Sequence, residues 1–143
     1  MTERMTIIDL QKAQTKRVDR EGPIHIDILQ HLRKALPGAV IHHSPNETKW
    51  RSKKAIMVVQ KAKSMGTMPG FPDLMILFQG QFWAMEVKAE GGKVSMAQKA
   101  AGIRIEAAGG RWAVVRSVED AEKCLSKWMD EMDVDIPFRG KIS

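Results

Sequence analysis

The chain has 143 residues, 43% hydrophobic and 28% charged, which sets one compact globular domain as the expectation. No stretch approaches the roughly 20 uncharged apolar residues of a membrane span. The start of the chain, with Glu3, Arg4 and Asp9, has no apolar signal-peptide core. Cys124 is the single cysteine, which excludes an internal disulfide and a thiolate-rich zinc site and points to a cytoplasmic, reducing setting. The 23 Lys and Arg against 17 Asp and Glu leave a net charge of +6, a balance suited to phosphate polyanions.

Residues 1–20 are mixed and polar, with Lys12, Lys16, Arg17 and Arg20, and read as an N-terminal arm. Ile24, Ile28, Leu32 and Leu36 recur every four residues behind Pro23, so 23–36 read as an amphipathic helix that Pro37-Gly38 ends. Ala39 to His42 is a short strand, stopped by Ser44-Pro45-Asn46. Residues 49–63 hold Lys49, Arg51, Lys53, Lys54, Lys61 and Lys63 with no acid, and a helix is expected from about Lys54 to Met65. Met68-Pro69-Gly70-Phe71-Pro72 is rigid non-helical chain, followed by strands at 73–78 and 81–88 around Gln79-Gly80. Ser95 opens an Ala-rich helix that Gly109-Gly110 ends, Arg111 to Arg116 is a strand, and Ser117-x-x-Asp120 starts a last helix. The main domain spans 21–132, and 133–143 read as a tail. Because an antiparallel hairpin cannot belong to a purely parallel sheet, the fold class is α/β with a mixed sheet.

Hairpin geometry supplies the sharpest feature. With a two-residue turn at Gln79-Gly80, paired positions sum to 159, which sets Asp73 opposite Glu86. Opposed Cβ atoms lie about 4.5–5.5 Å apart, so the two carboxylates repel unless a cation lies between them. Lys88 follows two residues on and shares their face. Two acids and a lysine therefore interrupt an apolar sheet at one spot. They are close enough to share a divalent cation, or else form a structural ion pair.

Pro72-Asp73, twelve residues, then Glu86-Val87-Lys88 resembles the PD-(D/E)XK motif of restriction-endonuclease-like nucleases. The wider pattern resembles the VRR-NUC family: Asn46-Glu47, Gly66 before Pro69-Gly70-Phe71-Pro72-Asp73, Glu86-Val87-Lys88, Ser95-x-x-Gln98, and Gly109-Gly110 before a strand. The resemblance runs from about Glu21 to Leu125. It implies a restriction-endonuclease-like αβββαβ core with a mixed four-stranded sheet, to which this chain adds a basic helix and a C-terminal helix. Implied with it is hydrolysis of DNA phosphodiesters, with branched DNA among the substrates of some relatives. Asp73, Glu86 and the Val87 carbonyl would hold Mg²⁺ or Mn²⁺, and Lys88 would orient the attacking water and stabilise charge on the phosphate. Small stand-alone members are encoded by phages and mobile elements, which would make the location a host cytoplasm.

The family also uses a glutamate at the start of the first helix. Glu21 fits, with Asp27 the rival acid, and its plain alternative is a favourable charge at a helix N-terminus. Gln98 matches the family's glutamine, yet Ser95-x-x-Gln98 is equally a capping box. The cations from Lys49 to Lys63 form the expected phosphate-tracking surface, with Trp50 able to stack on a base. His25, His31, His42 and His43 lack zinc spacing and read as surface or hydrogen-bonded side chains. A homodimer is expected, since a two-strand cut needs two sites; Trp128, Met129, Met132, Ile136, Pro137 and Phe138 offer apolar surface for it. A non-catalytic nucleic-acid-binding or assembly module on the same fold is the alternative.

Overall fold

The computed structural model describes residues 19–45 and 53–135, without the side chains of 53–55 and 133–135. The first helix, α1 (Glu21–Ala35), starts where Asp19 accepts a hydrogen bond from the Gly22 amide at 2.9 Å, satisfying one orphan donor. Its every-fourth-residue stripe is inward, with Ile28 and Leu32 fully buried and Leu36 beside them. Strand β1 (Val40–His43) follows, one residue later than the hydropathy pattern suggested. Helix α2 (Lys53–Ser64) is next, and then the hairpin of β2 (Leu74–Phe78) and β3 (Gln81–Val87). Both turn residues have positive φ, 48° at Gln79 and 78° at Gly80, as a type I′ turn requires.

Helix α3 (Met96–Ala107) then crosses to β4 (Arg111–Val115). It ends in a Schellman motif, the Gly110 amide donating to the Ile105 carbonyl and the Gly109 amide to Glu106. The last helix is α4 (Val118–Asp135), entered through the Ser117 hydroxyl, which accepts from the Asp120 amide. It runs three residues past the limit at 132.

The sheet order is β1-β2-β3-β4, antiparallel except for the parallel β3–β4 pair. Four helices flank it among the described residues, the mixed α/β arrangement of a restriction-endonuclease-like core. Alternation along β3 divides its side chains. Trp83, Met85 and Val87 enter the core with Ile28, Leu32, Leu125 and Trp128 of α1 and α4. Phe82, Ala84 and Glu86 take the opposite face, which α3 covers.

The surface expected to pair two copies is mostly core. Trp128 and Met132 are 5% and 2% exposed, and Met129 packs against the same cluster. The Trp128 ring lies 5.6 Å from that of Trp83. Those side chains fold back on their own sheet, so α4 does not offer them to a partner. Ile136, Pro137 and Phe138, like the arm at 1–18, lie outside the described residues. Cys124 also packs against the core, and burial pushes its thiol up, with Asp120 adding to the shift.

Candidate active site

The hairpin register is the one derived from the turn. Phe78 pairs with Gln81 and each pair follows in step to Leu74 with Met85, so Asp73 falls beside Glu86 at the open end of the hairpin. Asp73 is held there by its neighbours: its Oδ2 accepts from the Val87 amide at 2.8 Å. The ring of His43 contacts the Asp73 carbonyl at 3.2 Å and meets the His25 ring edge-on at 4.5 Å. The remaining histidines lie elsewhere, His31 against Glu122 at 3.3 Å and His42 exposed.

Glu86 is the anomaly of the core. It is 1% exposed, the single buried charged residue among those described. One carboxylate oxygen, Oε1, accepts from Gln98 Nε2 at 2.8 Å and lies 3.9 Å from Lys88 Nζ. The other, Oε2, is buried without a hydrogen-bond partner. The Glu86 carboxyl is raised from 4.5 to about 9, first by burial, then by the neighbouring Asp73, and last by Glu21; Lys88 opposes the shift. One ammonium at the limit of ion-pair distance does not neutralise this group. The ion pair of Lys88 with Glu86 is present through Oε1, and Oε2 takes no part in it.

Gln98 forms the capping box and also reaches Glu86. Its amide donates to Ser95 Oγ and its Oε1 accepts from the Ser95 amide, a complete capping box. The same side chain still has Nε2 free to reach Glu86. Gly70 makes this possible: with φ of 71° it runs so close to α3 that a Cβ would sit 2.4 Å from the Ala97 carbonyl and 2.6 Å from the Gln98 amide.

These groups open on a cavity of about 310 Å³ whose walls include Glu21, Asp73, Glu86, Lys88 and Gln98. Of the two acids of α1, Glu21 reaches it, whereas Asp27 is exposed and lines no part of it. From the basic stretch, Lys63 lines the cavity and Lys61 is exposed on the last turn of α2. Lys53 and Lys54 begin that helix, and Lys49, Trp50 and Arg51 lie outside the described residues. Unforeseen from the sequence is the apolar side of the cavity, made by Val58 and Val59 of α2 and by Met68 to Phe71.

A hard divalent cation suits this donor set. Mg²⁺ is bound through one or two carboxylates and keeps several waters. No group of three or more His, Cys, Asp or Glu poised to hold a metal occurs among the described residues. Asp73 and Glu86, the latter with an unpartnered buried oxygen, are the two carboxylates that could hold such an ion.

The VRR-NUC domain model matches residues 11–119. A solved structure described as a VRR_NUC domain protein superposes with a TM-score of 0.59 at 18% identity, covering 78% of this chain and 88% of that one. A second, described as a VRR_NUC domain, gives 0.51 at 22% identity over 75% and 95%. No curated protein matches the chain significantly. With the family model spanning most of its length and its fold shared with these two structures, the chain belongs to the VRR-NUC domain family, a family of nuclease domains.

Proposed function

We propose that this nuclease domain is a metal-dependent endonuclease of DNA, hydrolysing phosphodiester bonds at the cavity where Asp73, Glu86 and Lys88 meet. The observation that carries the reading is the buried, unpartnered Glu86 Oε2 beside a second carboxylate. A module that only binds nucleic acid gains nothing from two acids facing a polyanion, and their burial costs folding energy. Asp73 and Glu86, with the Val87 carbonyl, would hold Mg²⁺ or Mn²⁺. Held there, such an ion would supply a lowered pKa for the attacking water and a counter-charge for the phosphate.

The chain's own groups divide the remaining work. Lys88, half-buried and next to Glu86, places an ammonium where negative charge grows on the phosphate oxygens. Gln98 holds the Glu86 carboxylate from α3, and Glu21 adds a third acid at the cavity wall. The attacking water gives a proton to solvent as its oxygen bonds to phosphorus, the ester bond on the far side breaks, and the leaving oxygen takes a proton back from solvent. One site cuts one strand, so the reaction is a nick unless a second copy joins it.

The test incubates the protein with linear, flapped and four-way DNA in Mg²⁺ or Mn²⁺. Asp73→Ala, Glu86→Ala and Lys88→Ala are each expected to lose at least ~100-fold in cleavage while still binding DNA. Cleavage by Glu86→Ala at the wild-type rate would remove the metal site from this position.

A further inference from the structure

We propose that His25 and His43 are positioning residues that tie Asp73 to the helix carrying Glu21; this rests on the nuclease reading above, in which Asp73 is a metal ligand. The regular ladders stop one residue short of Asp73. Strand β1 pairs His43 with Leu74, and β2 meets β3 last at Leu74 and Met85. Asp73 is therefore held by other bonds, and the described residues supply three. Its carbonyl accepts from the Ser44 amide at 2.9 Å and from His43 Nδ1 at 3.2 Å. Its Oδ2 accepts from the Val87 amide at 2.8 Å. Because a carbonyl oxygen only accepts, Nδ1 carries the hydrogen of the His43 contact. The main chain of Asp73 is thus clamped from β1 and its carboxylate from β3, the two neighbours of β2 in the sheet.

The His43 ring is not there to fill the core. It is exposed, and the Ser44 amide already continues the strand pairing, so the sheet does not depend on it. Beyond Asp73 it meets the His25 ring edge-on, with centroids 4.5 Å apart and planes at 76°. His25 stands four residues after Glu21 in α1, one helical turn on and on the same face. Neither histidine lines the cavity, whereas Glu21 and Asp73 both do. The pair therefore acts through the acids and not on a substrate, joining the α1 end of the site to its β2 end. Outer partners that orient a metal ligand are worth about 10–100-fold in metal affinity or activity. A partner that reaches the ligand's main chain belongs at the low end of that range.

Mn²⁺ affinity of the DNA-free protein, read from the free-ion signal in electron paramagnetic resonance, tests the pair without cleavage. His43→Phe keeps a ring against His25 and removes the donor, and should weaken Mn²⁺ binding about tenfold. His43→Asn, whose Nδ2 can stand where Nδ1 stands, should stay within about threefold of wild type. Adding His25→Ala to His43→Phe should cost little more than His43→Phe alone, since both losses pass through one contact. With the best-cut DNA as substrate, His43→Phe should lower kcat and leave KM unchanged. Wild-type Mn²⁺ affinity in His43→Phe, or equal losses in His43→Phe and His43→Asn, overturns the pair and leaves the nuclease reading standing. A raised KM at unchanged kcat makes the histidines DNA contacts and overturns it too. If the wild type binds Mn²⁺ but cuts no DNA, the nuclease reading fails instead, and the affinity comparison alone decides the pair. A wild type that binds no Mn²⁺ overturns both. Should urea melts show His43→Phe unfolded, His43→Ala against His43→Asn makes the same comparison.

Discussion

Glu86→Gln should make the metal-free protein more stable, and by an amount that grows with pH. Glutamine copies the protonated acid: its oxygen can accept from Gln98 Nε2 and its amide can donate to the Asp73 carboxylate. In the fold the Glu86 carboxyl is raised from 4.5 to about 9 by burial and by Asp73, so the folded chain holds a proton that the unfolded chain releases above about 4.5. Stability from this group is therefore fully present below pH 4.5 and is lost as pH rises toward 9. Each pH unit in that window is worth about 1.4 kcal/mol, which sets a limit of about 4 kcal/mol by about pH 7.5. Entry of water and side-chain relaxation bring the expected gain to about 1–3 kcal/mol. Urea unfolding in EDTA from pH 5 to 9 measures it directly. A gain that does not change with pH, or a variant less stable than wild type at pH 8, would refute the reasoning. Mn²⁺ should raise the wild-type melting temperature and leave that of the variant unmoved, because only a ligand held by the native site adds stability.

Ser95→Ala should cost about 1 kcal/mol through the lost cap and keep cleavage, whereas Gln98→Ala should lose the cap and also slow cleavage; single-turnover rates beside urea melts separate the two. Reversing Lys61 and Lys63 to Glu should weaken DNA binding for all sequences alike and flatten its log–log salt slope by about 1.5, read by anisotropy over a salt series. Gly70→Ala and Gly80→Ala form a matched pair, since both glycines have φ between 71° and 78°. Gly80→Ala should cost about 1 kcal/mol and spare cleavage per folded molecule. Gly70→Ala, driven into the Ala97 carbonyl and the Gln98 amide, should cost roughly 3 kcal/mol or more and lower cleavage as well.

The residues that sequence reasoning located are those tied together by short-range rules. A type I′ turn sets the pairing of β2 with β3, so Asp73 and Glu86 could be placed side by side from counting alone. A capping box between Ser95 and Gln98 fixes where α3 begins, and the Gly109-Gly110 pair fixes where α3 stops. What escaped was set by packing over long sequence distances. The inward face of α4 has the same periodicity whether it meets its own sheet or a second copy, so Trp128 and Met132 pointed equally to a dimer. Helix α2 carries Val58 and Val59 on a segment whose pattern gives no hint of what it faces. The cavity's apolar side thus appears only once the loop through Gly70 has tucked against α3.

The same contrast explains how an apolar sheet tolerates its acids. Along β3 every side chain from Trp83 to Val87 is buried, so hydropathy alone would place Glu86 in the core as an error. Its cost is confined because it lies at the open end of the hairpin, where the strands finish and Lys88 leaves the sheet, and not at the turn that sets the register. Trp83, Met85 and Val87, on the other face of the strand, bury against α1 and α4 and fix β3 so that Glu86 cannot rotate away from Asp73. The core thereby holds the Asp73 carboxylate and the proton-bearing Glu86 carboxyl side by side when no ion is bound. A site built this way is preorganised, because the energy of bringing the two acids together is supplied by folding and not by any ion that would join them.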